Sequence, residues 1–458
     1  MTNGANLTSR WLALLPLRLR SRVVHQPDLQ KILINSGWLF SDKILRMGMG
    51  LLVGAWMARY LGPEQFGLLN YAVAFVSLFA AVADFGLNGI VVRDLVQDPT
   101  TSQITMGTAF ALQTLGGVIA FGLALMAISY VRPDDELARL AVDVLALLMV
   151  FKATEVVRYW FESQVQSKYI VWMGNGVSLC LSAIKIGLIL AKASVLAFVW
   201  AIFVEGLLVA VGLLIVYAWR GGKPSLWRIR FSRAAVLLRD SWPLILSGLA
   251  VMVYMRIDQI MLGQMLGDES VGLYTAAVKI SEAWYFIPVA IVTSVFPSII
   301  EAKKQSEIHY IHRLQRLSDV MVLMALGVAI PMTFLSNWVI TLLFGDAYLQ
   351  SGSVLAIHIW AGIFVFTGLV SGKWLLIEGL QRYSFYRTLF GASVNVGLNA
   401  ILIPKYGIIG AAWATVVSQA CANMVFNIFN AKTRPVFFLQ CRSCLVIGNF
   451  LKRTGSAL

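Results

Sequence analysis

Charged residues are scarce in this sequence. Asp, Glu, Lys and Arg make up 13% of the 458 residues, whereas hydrophobic residues make up 59%. A soluble domain carries about 25% charged residues, because its surface faces water. Residues 104–131, 320–344 and 406–431 contain no charge at all, and each stretch exceeds the roughly 20 residues that a helix needs to cross a bilayer. The composition therefore excludes a soluble fold and predicts an all-α integral membrane protein, since helices satisfy their own backbone hydrogen bonds in lipid.

Features of secreted and metal-binding proteins are also missing. There is no secretory signal, because the apolar stretch 11–17 is short and is followed by three arginines; it fits an interfacial amphipathic segment instead. The chain has four cysteines, and we expect no structural disulfide among them. Cys180 and Cys421 lie in apolar stretches and are predicted to pack inside helices. Cys441 and Cys444 form one isolated pair, which does not indicate a metal site. We therefore predict neither a metal nor a cofactor.

Enzymatic and ATP-driven mechanisms have no support in the sequence. The segment Gly368-Leu-Val-Ser-Gly372-Lys373 resembles a phosphate loop, but its spacing is one residue short. Trp374 also replaces the Ser or Thr that would bind magnesium. No loop is long enough for a soluble catalytic domain, which disfavours a membrane polymerase or ligase, so we predict that the chain is not an enzyme. Uphill transport would then require an ion gradient or removal of the product.

The apolar stretches predict about twelve transmembrane helices. The expected spans are 33–60, 67–92, 104–131, 138–159, 169–190, 195–219, 243–266, 271–300, 319–344, 354–378, 383–403 and 407–430. The net charge of +14 does not indicate nucleic-acid binding, because 25 Lys and Arg residues fall on one set of alternate loops and five on the other. This bias is typical of membrane topology and predicts that both termini are cytoplasmic.

The second half of the chain repeats the first. Residues 61–68 (LGPEQFGL) return as residues 266–273 (LGDESVGL), and residues 192–201 return as residues 405–414. Because the seventh span follows the first by an even number of crossings, the halves form a parallel repeat of two six-helix bundles. The predicted segments are a cytoplasmic N-terminal segment 1–32, a first bundle 33–219, a basic cytoplasmic linker 220–242, a second bundle 243–431 and a cytoplasmic tail 432–458.

Ionisable side chains within the predicted spans are the candidate functional residues, because burying them in lipid is costly. At about 1.5 Å per residue, Arg46, Lys152 and Arg256 fall near the membrane centre, and Lys43 and Lys185 lie further off centre. The intramembrane acids proposed to carry a coupling ion are Asp42, Asp84, Glu155, Glu205 and Asp258.

Helical spacing predicts three local ion pairs: Asp42 with Arg46, Lys152 with Glu155, and Lys279 with Glu282. Lys185 has no acid three or four residues away. Two interpretations stay open. The pairs neutralise one another and merely tolerate burial, or unpaired cations hold an anionic cargo while an acid carries a coupling ion. The motif Gly50-Leu-Leu-Val-Gly54 separately predicts a close helix contact.

A family resemblance is carried by four segments: 41–46 (SDKILR), 58–67 (ARYLGPEQFG), 70–72 (NYA) and 85–93 (FGLNGIVVR). They resemble bacterial polysaccharide-export flippases of the Wzx type, whose superfamily also contains the MATE multidrug exporters and the lipid II flippase MurJ. Residues 272–297 are similar to the same family. The resemblance implies two bundles arranged as a V that alternates between inward- and outward-open states.

The resemblance also implies a function. The chain would move an undecaprenyl-pyrophosphate-linked oligosaccharide, such as an O-antigen repeat unit, from the cytoplasmic to the periplasmic leaflet of the bacterial inner membrane. The cations assigned to the cargo site are Lys43, Arg46, Lys152, Lys185 and Arg256, of which Lys43 and Arg46 lie in the recognisable motif. A polysaccharide polymerase or chain-length protein is the candidate partner. The alternatives are a MATE-like, cation-coupled exporter of small molecules and a lipid II flippase, whose members often have two further spans.

Overall fold

The computed structural model describes residues 27–445, and for residues 27–34, 36, 39 and 40 it describes the backbone only. The interfacial segment predicted at 11–17, most of the N-terminal segment and residues 446–458 of the tail lie outside the described residues.

The first half of the described chain is helical. Its helices are α1 (Pro27–Leu78), α2 (Ala80–Asp84), α3 (Asn88–Gln97), α4 (Ser102–Val131), α5 (Glu136–Ala146), α6 (Leu148–Phe151), α7 (Glu155–Ser163), α8 (Lys168–Leu190) and α9 (Val195–Trp219). Short 3₁₀ turns at Pro99–Thr101 and Lys152–Thr154 connect α3 to α4 and α6 to α7.

The second half has a matching series of helices. They are α10 (Phe231–Met265), α11 (Asp268–Ala283), α12 (Phe286–Gln305), α13 (Glu307–Phe344), α14 (Gln350–His358), α15 (Ala361–Ile377), α16 (Gln381–Asn423) and α17 (Arg434–Cys444). Further 3₁₀ turns lie at Pro224–Leu226, Asp346–Tyr348 and Val425–Ile428.

The predicted helical membrane fold is confirmed, whereas the number of spans is not. Among the described residues, eight helices are long and apolar enough to cross a bilayer, or nine if the bent pair Ser41–Leu78 and Ala80–Gln97 counts as one more. Two predicted pairs of spans follow each other without an intervening loop, because α1 and α16 each consist of two helices that meet at a kink, at Gly62 and at Gly407. Both glycines have positive φ, 73° and 58°, a conformation that other residues rarely adopt. Each glycine thus connects two helices without a separate loop.

The predicted fourth span, 138–159, is not one continuous helix. The structure divides it into α5, α6 and α7, with the Lys152–Thr154 3₁₀ turn between α6 and α7. A 3₁₀ segment within a helical run often marks a functional position. This break coincides with Lys152, the cation that the sequence places near the membrane centre.

The two halves meet through a reciprocal glycine contact. A Cβ atom added to Gly67 would lie 1.7 Å from the carbonyl oxygen of Asp268, and one added to Gly272 would lie 2.0 Å from that of Pro63. Gly67 and Gly272 are equivalent in the repeat, and so are Pro63 and Asp268, because both pairs are 205 residues apart. Each half therefore presents the same surface to the other, as a parallel repeat about an axis along the membrane normal requires. We call this the glycine end of the molecule.

An ion pair also joins the halves at the glycine end. Arg132, which follows α4, binds the carboxylate of Asp268 with Nη–O distances of 2.8 and 3.0 Å, and its Nη2 donates to the Gly263 carbonyl at 2.9 Å. Its guanidinium lies 3.8 Å from the centroid of the Tyr71 ring. The side chains of Arg132 and Asp268 are only 10% and 13% exposed, so lipid and water screen this pair weakly.

Further contacts reinforce the glycine end. Arg59 donates to the carbonyl oxygens of Thr341 and Leu342 near the end of α13, and the Tyr348 hydroxyl donates to the Ala58 carbonyl at 2.9 Å. The ring of Phe66 meets Tyr348 edge-on at 6.1 Å. The largest hydrophobic cluster of the described chain includes buried residues of both halves at this end.

The opposite end carries the basic loops, and we call it the basic end. Here Arg93 of α3 pairs with Asp240 of α10 at 2.7 Å, and Arg233 of α10 pairs with Asp94 of α3 at 2.7 Å. These two pairs dock the start of α10, which lies within the predicted linker 220–242, onto the first half.

Two packing predictions are wrong. Nothing lies within 4 Å of a Cβ atom added to Gly50 or Gly54, so this motif is not the close helix contact, which instead involves Gly67 and Gly272. Cys180 is exposed on the surface of α8 rather than packed inside the bundle.

Candidate functional site

A chain of ion pairs runs through the first bundle. Lys152 binds Asp84 of α2, which contradicts the predicted local pair of Lys152 with Glu155. Glu155 instead pairs with Arg158, with an Nε–O distance of 2.6 Å.

The predicted pair of Asp42 and Arg46 is confirmed, with an Nε–O distance of 2.8 Å. The guanidinium of Arg46 lies against α8, where a Cβ on Gly174 would come within 2.0 Å of its Nη2. Arg158 lies within electrostatic range of Asp42. The two pairs therefore adjoin each other, which links α1, α7 and α8 through charged groups.

Lys185 is paired across helices rather than along its own helix. Its Nζ lies 2.6 Å from a carboxylate oxygen of Glu205 on α9. The sequence could not reveal this partner, because it lies 20 residues away. In all four of these pairs the side chains are 18–35% exposed, so each pair is partly exposed rather than fully buried.

The second half contributes cations without a carboxylate partner. Among the described residues, neither Arg256 on α10 nor Lys279 on α11 has a carboxylate oxygen within 4 Å, so the predicted pair of Lys279 with Glu282 does not form. The Lys279 ammonium lies 4.5 Å from the ring centroid of Phe66 in the first half. Arg256, Lys185 and the carboxylate of Glu282 all lie within electrostatic range of Lys279. Cations of both halves thus converge where the bundles face each other.

Lys279 lies at the interface between the halves, although it was not among the residues predicted to bind the cargo. Depth along the helix places it off centre, yet its long side chain carries the charge to the interface between the halves. Lys43, in contrast, was assigned to the cargo site and is exposed on α1, with no ion pair among the described residues.

Asp258 has a different environment from the other candidate acids. Its side chain is 5% exposed and accepts hydrogen bonds from Asn399 of α16, from the Thr415 hydroxyl at 2.6 Å and from the Tyr274 hydroxyl at 2.9 Å. Within the described part of the chain it has no ion pair, although Arg256 is two residues away. Asp42, Asp84, Glu155 and Glu205 are all paired with Lys or Arg. The polar residues around Asp258 could have been suspected from Asn395 and Asn399, which are four residues apart on one face of an apolar helix.

Asp258 also lines a cavity of about 550 Å³ inside the second bundle. The walls come from α10, α11, α14, α15 and α16, and they include Glu282, His358, Lys373 and Arg387. The Nδ1 of His358 lies 2.9 Å from the Ser281 hydroxyl. This volume is typical of a small-molecule site.

Comparison with known families gives one match over more than half of the chain. A family model described as "Polysaccharide biosynthesis protein" matches residues 32–303. The chain is 25% identical to the "Probable low-salt glycan biosynthesis flippase Agl15" of Haloferax volcanii over 408 residues, covering 83% of this chain and 80% of the relative. It is 22% identical to a Shigella dysenteriae protein named "Putative O-antigen transporter" over 386 residues, covering 83% and 94%.

Solved structures show the same fold. An inward-facing MATE multidrug transporter superposes with a TM-score of 0.71 at 16% identity, covering 86% of this chain and 95% of the transporter. The lipid II flippase MurJ, in an inward closed conformation, superposes with a TM-score of 0.67 at 14% identity, covering 90% and 91%. The architecture of two bundles predicted from the repeat is thereby confirmed.

Proposed function

This chain belongs to the polysaccharide biosynthesis protein family, and on that premise we propose that it flips an undecaprenyl-pyrophosphate-linked oligosaccharide across the membrane. The chain is a multi-pass transmembrane flippase of polysaccharide and O-antigen biosynthesis. We further propose that the cargo is lipid-linked, that it moves from the cytoplasmic to the periplasmic leaflet and that an ion gradient drives the movement. We place the protein in the bacterial inner membrane with its basic end and both termini in the cytoplasm, because Lys and Arg concentrate in those loops.

The observation that carries the proposal is the convergence of Lys185, Arg256 and Lys279 between the two halves. A sugar diphosphate cannot cross about 30 Å of hydrocarbon unaided, since each unpaired polar group is costly there. Arg and Lys offset this cost through charge-assisted hydrogen bonds to phosphate oxygens. Arg256 and Lys279 need no carboxylate to be displaced, so they would bind the diphosphate first. Lys185 would exchange Glu205 for the incoming anion.

The first-bundle pairs extend this site. Arg46 and Lys152 are held by Asp42 and Asp84, yet they stay partly exposed. We propose that they contact the diphosphate or the first sugar as the cargo enters from the basic end. Lys43 serves as an outer contact of the same route.

The glycine end would be the periplasmic gate. Its reciprocal glycine contact and its Arg132–Asp268 pair hold the halves together in the present conformation. Because the halves are related by a parallel repeat, rocking them about this end would open the basic end to the cytoplasm. Breaking the same contacts would release cargo to the periplasm. The segments 220–242 and 432–458 would be the linker and tail on the cytoplasmic side.

Coupling to a proton or sodium ion would reside in Asp258. It is the candidate acid that has hydrogen-bond donors but no cationic partner among the described residues, so its charge is free to bind an ion. The cavity beside it offers a path for that ion. Binding there would act on α10 and α16, which move with the second half.

A MATE-like exporter of cationic small molecules is the alternative, and the buried carboxylate of Asp258 is the feature that favours it. The cations that face the interface between the halves would repel such a cargo. An anionic cargo therefore agrees better with the charges of both halves. A polysaccharide polymerase or chain-length protein is the partner that this assignment implies.

Complementation of a flippase-deficient bacterium tests the proposal. The wild-type chain should restore surface polysaccharide, whereas Arg256→Gln and Lys279→Gln should reduce it at least tenfold at equal membrane levels. Lys405→Gln, which removes an exposed cation on α16, is the matched control and should behave as wild type. Full restoration by both interface variants, or none by the wild type with a cognate repeat unit, would contradict the assignment.

A further inference from the structure

The cavity of the second bundle also has a positively charged region. It is separate from the cations between the two halves that we assign to transport. Lys373 near the end of α15 and Arg387 near the start of α16 both line it. The two helices are joined by residues 378–380, so this region lies towards the basic end. Lys373 is the last residue of the segment that resembles a phosphate loop, and the structure places that segment within a helix.

Arg387 is a cation inside the bundle without a carboxylate partner. Its Nη1 donates to the Ser371 hydroxyl at 2.8 Å and its Nη2 to the Gly368 carbonyl at 3.4 Å. No carboxylate oxygen of the described residues lies within 4 Å of it, and Tyr254 is the ionisable group that acts on it electrostatically. The guanidinium has five N–H donors. The protein thus engages part of this fork and leaves the rest for a ligand in the cavity.

The glycines of the segment leave space for two side chains of α16, Arg387 and Asn423. A Cβ atom added to Gly372 would lie 3.2 Å from Nη2 of Arg387, and one added to Gly368 would lie 2.3 Å from the Oδ1 of Asn423. Together with Ser371, these residues form one face of α15 against α16. The segment does not have the spacing of a phosphate loop. Its small residues instead leave space on the surface of α15 for the side chain of Arg387.

Lys373 adds a second positive charge. Its ammonium lies 4.6 Å from the ring centroid of Phe296 on α12, and it has no ion pair among the described residues. The acids of the cavity, Asp258 and Glu282, lie on α10 and α11, whereas Lys373 and Arg387 lie on α15 and α16. One part of the cavity is thus cationic, and a different part is acidic.

We propose that Arg387 and Lys373 form a binding site for a phosphate group carried by an amphiphilic ligand. Arg presents a planar fork that matches phosphate oxygens, and Lys supplies a point charge. Apolar side chains from the same walls, including Val365, Leu369 and Leu376, would contact an attached acyl or prenyl chain. Arg387 lies six residues into α16, or about 9 Å from its start at the basic end. The site is distinct from the interface cations and does not depend on transport.

Direct binding measurements test this site with the purified full-length chain in detergent. Phosphatidylglycerol represents a lipid headgroup, inorganic diphosphate represents a soluble phosphate compound, and diacylglycerol is the lipid without phosphate. We expect phosphatidylglycerol or diphosphate to bind, and Arg387→Gln to weaken that binding at least tenfold. Arg382→Gln, on the same helix but outside the cavity, is the matched control and should bind as wild type.

A comparison of the three probes identifies the source of the phosphate. Arg387-dependent binding of phosphatidylglycerol alone indicates a membrane lipid, and Arg387-dependent binding of diphosphate indicates a soluble phosphorylated compound. If Arg387→Gln does not fold, Arg387→Lys and Lys373→Gln provide the test, and at least one folded variant must lose tenfold. Equal binding by these variants, binding of diacylglycerol as tight as that of phosphatidylglycerol, or no binding of either phosphate probe would overturn the proposal.

Discussion

Replacing Gly272 with Ala should shift the protein away from the conformation that is closed at the glycine end. The added Cβ would lie 2.0 Å from the Pro63 carbonyl oxygen, whereas ordinary contacts begin near 3.4 Å. The helices α1 and α11 would therefore have to separate by about 1.4 Å, because a backbone carbonyl within a helix cannot rotate away. Overpacking of this kind costs about 1–3 kcal/mol.

This free-energy cost applies only to the conformation that is closed at the glycine end, because the contact is broken when that end opens. A difference of about 1–3 kcal/mol changes the ratio of two states by about 5- to 150-fold. Spin labels on Asp134→Cys and Ala347→Cys, two exposed sites at the glycine end of the two halves, would report it in a variant without the native cysteines. We expect the population with a long distance between the labels to grow.

Two comparisons sharpen this experiment. Gly67→Ala should act in the same direction, because the contact is reciprocal, and its Cβ would lie 1.7 Å from the Asp268 carbonyl. Gly50→Ala has open space around it and should leave the distances unchanged. An unaltered distance distribution in Gly272→Ala would refute the idea that this contact closes the gate.

Three further predictions concern charge. Asp258→Asn should lower surface polysaccharide at least tenfold at normal membrane levels, because it removes the charge that would bind the coupling ion; wild-type levels would exclude Asp258 from coupling. Arg132→Asp or Asp268→Arg alone should destabilise the closed glycine end by about 2–5 kcal/mol, and the double swap should restore the label distances; a double variant as open as the single ones would show that the pair does not act as a gate. Arg46→Ala and Lys185→Ala should each cause loss of surface polysaccharide with normal insertion, measured by immunoblot, and full levels in both would remove them from the cargo site.

The fold was largely predictable because its causes are local in the sequence. Long uncharged stretches determine the helices, and the repeat of 61–68 at 266–273 predicts the arrangement of the halves. The span count was less predictable, since Gly62 and Gly407 carry the chain through sharp bends that look like loops in the sequence.

The candidate site was predictable in its residue types but not in its partners. The ion pair of Asp42 and Arg46 is predicted by helical spacing, and it is present in the structure. Lys152 and Lys185 find carboxylates on other helices, which no single sequence reveals. Lys279 and Arg387 were missed as central residues because the reach of a long side chain and the space left by glycines depend on neighbouring helices.

The reciprocal glycine contact has a consequence for assembly. Two surfaces that match themselves are what a twofold symmetric dimer uses, so the seam between the halves resembles the interface of a homodimer whose subunits have been fused. Chains cut in the linker would then be expected to recognise each other through this seam, and each amino-acid change on one side would require its counterpart on the other.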